Sequence, residues 1–202
     1  MIRRIAAALF AVACLGLAGL CAAVLLVGLR LAAPRPALIG PPPPDLAGVE
    51  TVAIASSGAT IRAWWVPPAQ PGSGAVVLLH GVWEDRRRML RRAEVLHAAG
   101  YGVLLPDLQA HGESTGRRIT FGALEGRDAA AAIGFVRSRS PGERVGLIGV
   151  SLGGAAAVLA PTPLGADALV LESVYPDIRA ALLNRLRAGL GPTAGPVLAP
   201  LL

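Results

Sequence analysis

Four short apolar runs, each of the length of a buried strand, lie between residues 75 and 173. They span residues 75–81, 101–107, 145–148 and 167–173. Apolar side chains with helical spacing lie between them, for example Met89, Leu90, Ala93 and Leu96. Continuous apolar strands that alternate with helices are typical of βαβ units, which build a parallel sheet buried on both faces. The pattern therefore predicts an α/β fold with a mostly parallel sheet.

A different pattern precedes these runs, where apolar and polar residues alternate. Val52 and Ile54 form one alternating set, and Ile61, Ala63 and Trp65 form another. The turn-forming sequence Ser-Ser-Gly at 56–58 separates the two sets. Alternation with period two on both sides of such a turn predicts a β-hairpin, which we place at the edge of the sheet.

The N-terminus carries a long uncharged segment from Ile5 to Leu29, with Arg3 and Arg4 before it and Arg30 after it. This length exceeds the roughly 20 residues that a helix needs to cross the hydrocarbon core. It also exceeds the roughly 7–15 apolar residues of a signal peptide, although the Leu-Ala-Ala at 31–33 leaves cleavage open as the alternative. We predict a membrane anchor at 1–30, a Pro-rich linker at 31–48 and one domain at 49–202.

Prolines at 34, 36 and 41–44 predict a semi-rigid spacer between the anchor and the domain. Two arginines precede the apolar segment, and Arg30 and Arg35 follow it. Together with the amino terminus, the charge balance favours an N-terminus in the cytoplasm. We therefore expect a single-pass membrane protein whose domain lies outside the cytoplasm.

The composition excludes some classes of function. All 19 basic residues are arginine, the net charge is +6 and aromatic residues make up 4% of the chain. Scattered arginines without aromatic stacking residues argue against nucleic-acid binding, and the arginine-only usage is typical of a GC-rich bacterial gene. Both cysteines, Cys14 and Cys21, lie in the apolar segment, so the rest of the chain can form no disulfide. We predict no cofactor and no metal.

The candidate chemistry lies in the sequence Gly-Val-Ser-Leu-Gly-Gly at 149–154. An apolar strand precedes it and an Ala-rich stretch at 155–160 follows it, which is the strand–turn–helix context of a nucleophile elbow. Such a turn exposes the hydroxyl of Ser151, and it brings strand and helix too close for a Cβ at Gly149 or Gly153. A glycine-rich turn with an incidental serine is the alternative.

The motifs Leu-Leu-His-Gly, Leu-Leu-Pro-Asp-Leu-Gln-Ala-His-Gly-Glu-Ser, Gly-Val-Ser-Leu-Gly-Gly and Leu-Glu-Ser follow one another in this order. The series resembles the bacterial α/β-hydrolase superfamily, in particular its membrane-anchored members related to serine aminopeptidases and esterases. The resemblance covers about residues 50–202. It implies a three-layer α/β-hydrolase fold and a nucleophilic Ser151 acting on a small-molecule ester or amide. It also implies two backbone N–H donors for the oxyanion, at Leu152 and at Val82, with Trp83 as the alternative to Val82.

The sequence departs from the resemblance after Ser151, because no histidine follows it. The three histidines, His80, His97 and His111, all precede it. The family places its acid and histidine after two further strands, so we expect an incomplete sheet that covers the first two-thirds of the family domain and ends at the start of a cap. We expect His80 and His111 to brace loops. We also expect Asp167 to begin a strand and Asp177 to begin a helix.

Two functions follow from these observations. The first is a serine hydrolase that is crippled in this chain because the acid and histidine are missing. The second is a non-catalytic α/β-hydrolase-like membrane protein or a gene fragment. The arginines between residues 86 and 92 follow Glu84 and Asp85, a spacing that predicts a solvated helix face, with lipid-headgroup contact as the alternative.

Overall fold

A computed structural model of the chain describes residues 1–44, 46–161 and 163–192. The chain divides into two compact units, residues 1–33 and 34–202. Helix α1 (Ile2–Leu31) makes up nearly all of the first unit, and its most apolar 18 residues have a mean hydropathy of 2.6. Within the described residues it is the one helix long and apolar enough to cross a membrane. Such a helix near an N-terminus suits either a membrane anchor or a signal sequence.

The second unit contains a six-stranded sheet. Its strands are β2 (Glu50–Ser56), β3 (Ala59–Val66), β4 (Ala75–Leu79), β5 (Gly102–Pro106), β7 (Val145–Val150) and β8 (Ala168–Glu172). Their order in the sheet is β2-β3-β5-β4-β7-β8. The pairs β2–β3 and β3–β5 are antiparallel, and the other three pairs are parallel. The mostly parallel sheet is confirmed, and the hairpin β2–β3 lies at its edge as predicted.

Helices cover both faces of this sheet. One face packs against α3 (Glu125–Arg139) and α4 (Leu152–Val158), and the other packs against α2 (Leu90–Ala98). Alternate residues of β4 divide between the two cores, with Val77 on the first face and Leu78 on the second. The layered α/β arrangement is confirmed, because every central strand buries apolar side chains on both sides.

Strand β8 forms the other edge of the described sheet. It pairs with β7 in parallel register, so that Val150 lies opposite Glu172. Its three central apolar side chains remain 42–49% exposed, in contrast to the fully buried β4 and β5. Helix α5 (Ile178–Leu190) follows β8, and Asp177 caps its first turn as expected by accepting the N–H of Ala180 at 2.7 Å.

Part of the Pro-rich segment binds to the domain instead of forming a free spacer. Strand β1 (Arg35–Pro36) pairs in parallel with β6 (His111–Gly112). The Arg35 N–H donates to the carbonyl of Ala110 at 2.7 Å, and the Ile39 N–H donates to Glu113 at 3.1 Å. Residues 35–40 are therefore held along the loop that follows β5.

The arginine run does not form the uniform solvated face that the spacing predicted. Residues Arg86–Met89 form a 3₁₀ turn, and the Arg86 side chain is fully buried. Its guanidinium donates to Asp107 at 3.0 Å and to Glu113, and it lies 4.8 Å from the centre of the Trp64 ring. The expectation is wrong for Arg86, because its partners come from the loop after β5 and local charge spacing does not reveal them. It holds for Arg88, which pairs with Glu84 at the surface.

Candidate active site

Ser151 lies at the apex of a tight turn between β7 and α4. Its backbone angles, φ 49° and ψ −106°, fall outside the regions that most residues adopt. The turn is held from both sides, since the Ser151 N–H donates to the carbonyl of Glu172 at 2.8 Å and its carbonyl accepts the N–H of Ala155 at 2.9 Å. A non-glycine residue kept in a strained conformation by its surroundings is typical of functional turns.

Close approach of strand, turn and helix explains the glycine spacing. A Cβ added to Gly149 would lie 2.6 Å from the backbone of Gly153. A Cβ added to Gly153 would lie 2.5 Å from the Cβ and carbonyl oxygen of Leu79. Neither position tolerates a side chain, so α4 can lie directly against β4 and β7.

Two backbone N–H groups near this turn remain without an acceptor among the described residues. They belong to Leu152, the first residue of α4, and to Val82, in the loop after β4. The neighbouring amides are occupied, since Gly153 donates to the carbonyl of His80 at 3.1 Å and Trp83 donates to His111 Nε2 at 3.1 Å. Within the described part of the chain, the N–H groups of Leu152 and Val82 thus have no acceptor, whereas the N–H of Trp83 has one.

The loop after β4 also lies beside Ser151. A Cβ added to Gly81 would lie 3.8 Å from the Cβ of Ser151. Glu84 holds this loop, because its carboxylate accepts the Gly81 N–H at 2.9 Å while it pairs with Arg88 at 3.1 Å. Sequence reasoning assigned Glu84 only to the ion pair and missed its contact with Gly81.

His80 and His111 are buried, and both ring nitrogens of each form hydrogen bonds. His80 Nε2 accepts the Leu108 N–H at 3.0 Å, and its Nδ1 donates to the Gly81 carbonyl at 2.7 Å. His111 Nε2 accepts the Trp83 N–H, and its Nδ1 donates to the Gln109 carbonyl at 2.9 Å. Burial lowers the pKa of His80 and lowers the pKa of His111 to about 4. Both rings are neutral braces of the backbone, as expected from the sequence.

The acids downstream of Ser151 hold the scaffold together. Asp167 precedes β8, accepts the Val145 N–H at 2.6 Å and pairs with Arg137 at 3.0 Å. Glu172 ends β8 and pairs with Arg92 of α2, 80 residues away in sequence. No hydrogen bond to Ser151 Oγ occurs within the described ranges, and these contain no cluster of His, Cys, Asp and Glu suited to a metal ion. The serine therefore lies beside amides that have no described acceptor, and no described base contacts it.

Comparisons with known proteins identify the family and support the fold. The family described as serine aminopeptidase, S33, has a model that matches residues 70–198. An esterase from Pyrococcus furiosus matches in one crystal form with 26% identity and a TM-score of 0.65, over 84% of this chain and 68% of the esterase. Another crystal form of that esterase gives 29% identity and a TM-score of 0.57, over 62% of this chain and 51% of the esterase.

A serine hydrolase without a lid from Xanthomonas campestris shares the fold, with 18% identity and a TM-score of 0.55. This match covers 65% of the present chain and 63% of that hydrolase. The chain thus spans between about half and about two thirds of the length of the structures described here. No curated protein sequence matches it significantly.

Proposed function

Because the chain belongs to the serine aminopeptidase (S33) family of α/β-hydrolases, we propose that it is a serine hydrolase acting on ester or amide bonds of small molecules. Ser151 is the proposed nucleophile, and the N–H groups of Leu152 and Val82 are the proposed oxyanion donors. The observation that carries the proposal is the strained backbone of Ser151 beside two amides that lack an acceptor in the described chain.

In the proposed reaction, Ser151 Oγ attacks the carbonyl carbon of the substrate and its proton passes to a base. The carbonyl oxygen becomes an oxyanion, which accepts hydrogen bonds from the N–H groups of Leu152 and Val82. Each such donor contributes about 3 kcal/mol to lowering the barrier. The C–O or C–N bond to the leaving group then breaks, and the departing alcohol or amine takes up the proton that Ser151 gave to the base. Water hydrolyses the remaining acyl–serine ester, which releases the acid and restores the Ser151 hydroxyl.

We infer that none of the three histidines in the chain serves as the base for this reaction. His80 and His111 use both ring nitrogens in backbone hydrogen bonds, and His97 lies in the last turn of α2. Loss of a triad histidine costs about 10⁶ in turnover, and the remaining groups retain about 10³–10⁴ over water. The chain on its own should therefore hydrolyse esters at a trace rate.

A non-catalytic α/β-hydrolase-like membrane protein is the second candidate. Its support is that the acids following Ser151, like the two histidines, serve the scaffold: Asp167 and Glu172 form ion pairs and Asp177 caps a helix. In that case the elbow would be retained for its structure or as a binding surface.

Turnover of a p-nitrophenyl ester by the full chain in an uncharged detergent tests whether the chain lacks a catalytic base. We expect a trace rate that is unchanged in His111→Gln, because His111 braces the backbone. Robust turnover that is lost in both Ser151→Ala and His111→Gln would contradict the inference and would make His111 the base. Circular dichroism of both variants controls for loss of fold.

Covalent labelling separates the two candidate functions. Hydroxide can replace a missing base, so a fluorophosphonate at mildly alkaline pH should label Ser151 and none of the other serines. The elbow predicts this selectivity, because the oxyanion donors also stabilise the phosphonyl adduct. Ser151→Ala should abolish labelling, with Ser138→Ala as the control at an exposed serine. Labelling that does not depend on Ser151 would favour the non-catalytic function.

We propose that residues 1–30 form an uncleaved, single-pass anchor with the domain outside the cytoplasm, and that 31–48 and 49–202 are linker and hydrolase domain. Support comes from the length and hydropathy of α1 and from Arg3 and Arg4 before its apolar segment. The membrane fraction should contain a protein that begins at Met1. A mature N-terminus near Ala33 or Pro34 would instead establish a signal peptide.

A further inference from the structure

A cavity of about 570 Å³ opens between the turn of the β2–β3 hairpin and the loop that follows β6. Its lining includes Ser57 of the turn, Gln109 of the loop after β5, and Arg117 and Arg118. Ser151 and the loop at 81–83 are not part of the lining. The cavity is therefore a feature separate from the candidate active site.

Two positive charges at this cavity have no counter-ion among the described residues. Arg117 and Arg118 are both exposed, and neither forms an ion pair or hydrogen bond within the described ranges. Other arginines of the domain are paired, for example Arg92 with Glu172 and Arg139 with Glu50. No acidic residue occurs among those that line the cavity.

Gln109 adds an unused donor at the same place. Its residue is 6% exposed, and its side-chain Nε2 is buried without a hydrogen-bond partner. Buried polar groups in folded proteins nearly always have a partner, so the unpaired amide of a residue in the cavity wall is a donor that water or a ligand can use. The hydroxyl of Ser57 is likewise without a partner in the described chain.

A buried carboxylate that contacts Gln109 does not pair with the arginines. Asp128 of α3 is 2% exposed, and it accepts the Ser56 hydroxyl at 2.6 Å and the Gln109 N–H at 2.8 Å. Its two oxygens are thus used beneath the cavity. The wall accordingly offers guanidinium, amide and hydroxyl donors with no competing anion.

We propose that this cavity binds a phosphate group, carried by a soluble small molecule or by a lipid headgroup. Arginine guanidinium groups match phosphate oxygens in paired, charge-assisted hydrogen bonds. Gln109 and Ser57 supply neutral donors that complete the set. The proposal is independent of catalysis at Ser151, because it uses none of the residues near that serine.

The test is a titration of the full chain, in an uncharged detergent at constant ionic strength, with inorganic phosphate. Calorimetry gives the affinity, and the NMR signal of the Gln109 side-chain amide reports binding at the cavity. Arg117→Ala/Arg118→Ala should weaken binding about tenfold or more, since it removes both charged donors. Gln109→Met should weaken it by a smaller factor, about threefold.

The matched control is Arg91→Ala/Arg144→Ala, which removes the same charge at exposed arginines outside the cavity. It should change the affinity by less than about twofold, because screened surface charges contribute little. Equal weakening by both double variants would overturn the proposal by showing a general charge effect. A Gln109 amide signal that phosphate does not move would overturn it as well.

Two further arms identify the source of the phosphate group. Glycerol 3-phosphate represents a soluble ester, and phosphatidylcholine nanodiscs with or without phosphatidic acid represent a headgroup. The source is assigned to the carrier that shifts the NMR signal of the Gln109 amide, provided that this shift disappears in Arg117→Ala/Arg118→Ala. No shift with either carrier would overturn the proposal, since inorganic phosphate alone would then be the only ligand.

Discussion

Replacement of Arg86 by leucine is expected to destabilise the domain by about 3–5 kcal/mol, which is the usual cost of breaking a buried ion pair. Arg86 and Asp107 have fully buried side chains, and Arg86 also contacts Glu113 and the Trp64 ring. In the variant, Asp107 keeps two backbone donors, the N–H groups of residue 86 at 2.8 Å and Glu113 at 2.9 Å, but it loses its counter-charge. The loss is a large share of a typical stability of about 5–15 kcal/mol.

The pH dependence of this destabilisation provides a second test of whether the unpaired charge of Asp107 causes it. Burial raises the pKa of Asp107 in the folded protein, and the charge of Arg86 opposes that rise. Without Arg86 the pKa of Asp107 rises further above its unfolded value, so the folded state binds the proton more tightly. The destabilisation caused by Arg86→Leu is therefore largest at a pH above the pKa of Asp107 in the folded state. It should shrink as the pH falls from neutral to about 4.

Urea unfolding of the full chain in an uncharged detergent measures these differences through the fluorescence of the buried Trp64 and Trp65. Arg87→Leu is the matched control, because Arg87 is 51% exposed and its pair with Asp85 should contribute at most about 1 kcal/mol. The double variant Arg86→Leu/Asp107→Asn should be more stable than Arg86→Leu alone. Equal losses for Arg86→Leu and Arg87→Leu, or a penalty that is constant with pH, would refute the reasoning.

Two further predictions use the same unfolding assay. Gly153→Ala should lower the free energy of unfolding by more than about 2 kcal/mol, because the added Cβ would lie 2.5 Å from Leu79. In the control Gly134→Ala in α3, the added Cβ has nothing within 4 Å, so this variant should be more stable than wild type by up to about 1 kcal/mol. Similar effects at both glycines would contradict the packing of α4. Since His111 has its pKa lowered from 6.5 to about 4, the unfolded state binds more protons between these values, and wild-type stability should fall as the pH drops through this range. His111→Gln should reduce that dependence relative to wild type, and parallel pH profiles would show that His111 contributes nothing to it.

Local patterns predicted the strands, the hairpin and the turn at Ser151 because their causes are local. Apolar runs mark strands that are buried on two faces, and the alternation in β2 and β3 marks a half-buried hairpin. Gly149 and Gly153 reveal the elbow, since a Cβ at either position would collide with nearby backbone. The structure confirms each of these elements at the predicted place.

The candidate site was less accessible to sequence reasoning. Ser151, Leu152 and Val82 were named from motif and resemblance, but the spacing left Trp83 open as the second donor. The choice of Val82 stays a prediction, which is supported because His111 accepts the Trp83 N–H and no described residue accepts the Val82 N–H. His111 lies 28 residues from Trp83, so no local pattern could have indicated this contact.

The sequence by itself determined the order of elements, the apolar N-terminal helix and the strained turn that carries Ser151. Only the tertiary structure decided that Arg86 points into the core, that residues 35–40 bind along the loop after β5, and that Arg117 and Arg118 share a cavity with Gln109. The physical reason is the distance along the sequence over which each kind of interaction acts. Backbone sterics and hydrophobic periodicity act between near neighbours in sequence, whereas the burial or pairing of a charge depends on groups that meet only when distant segments pack together.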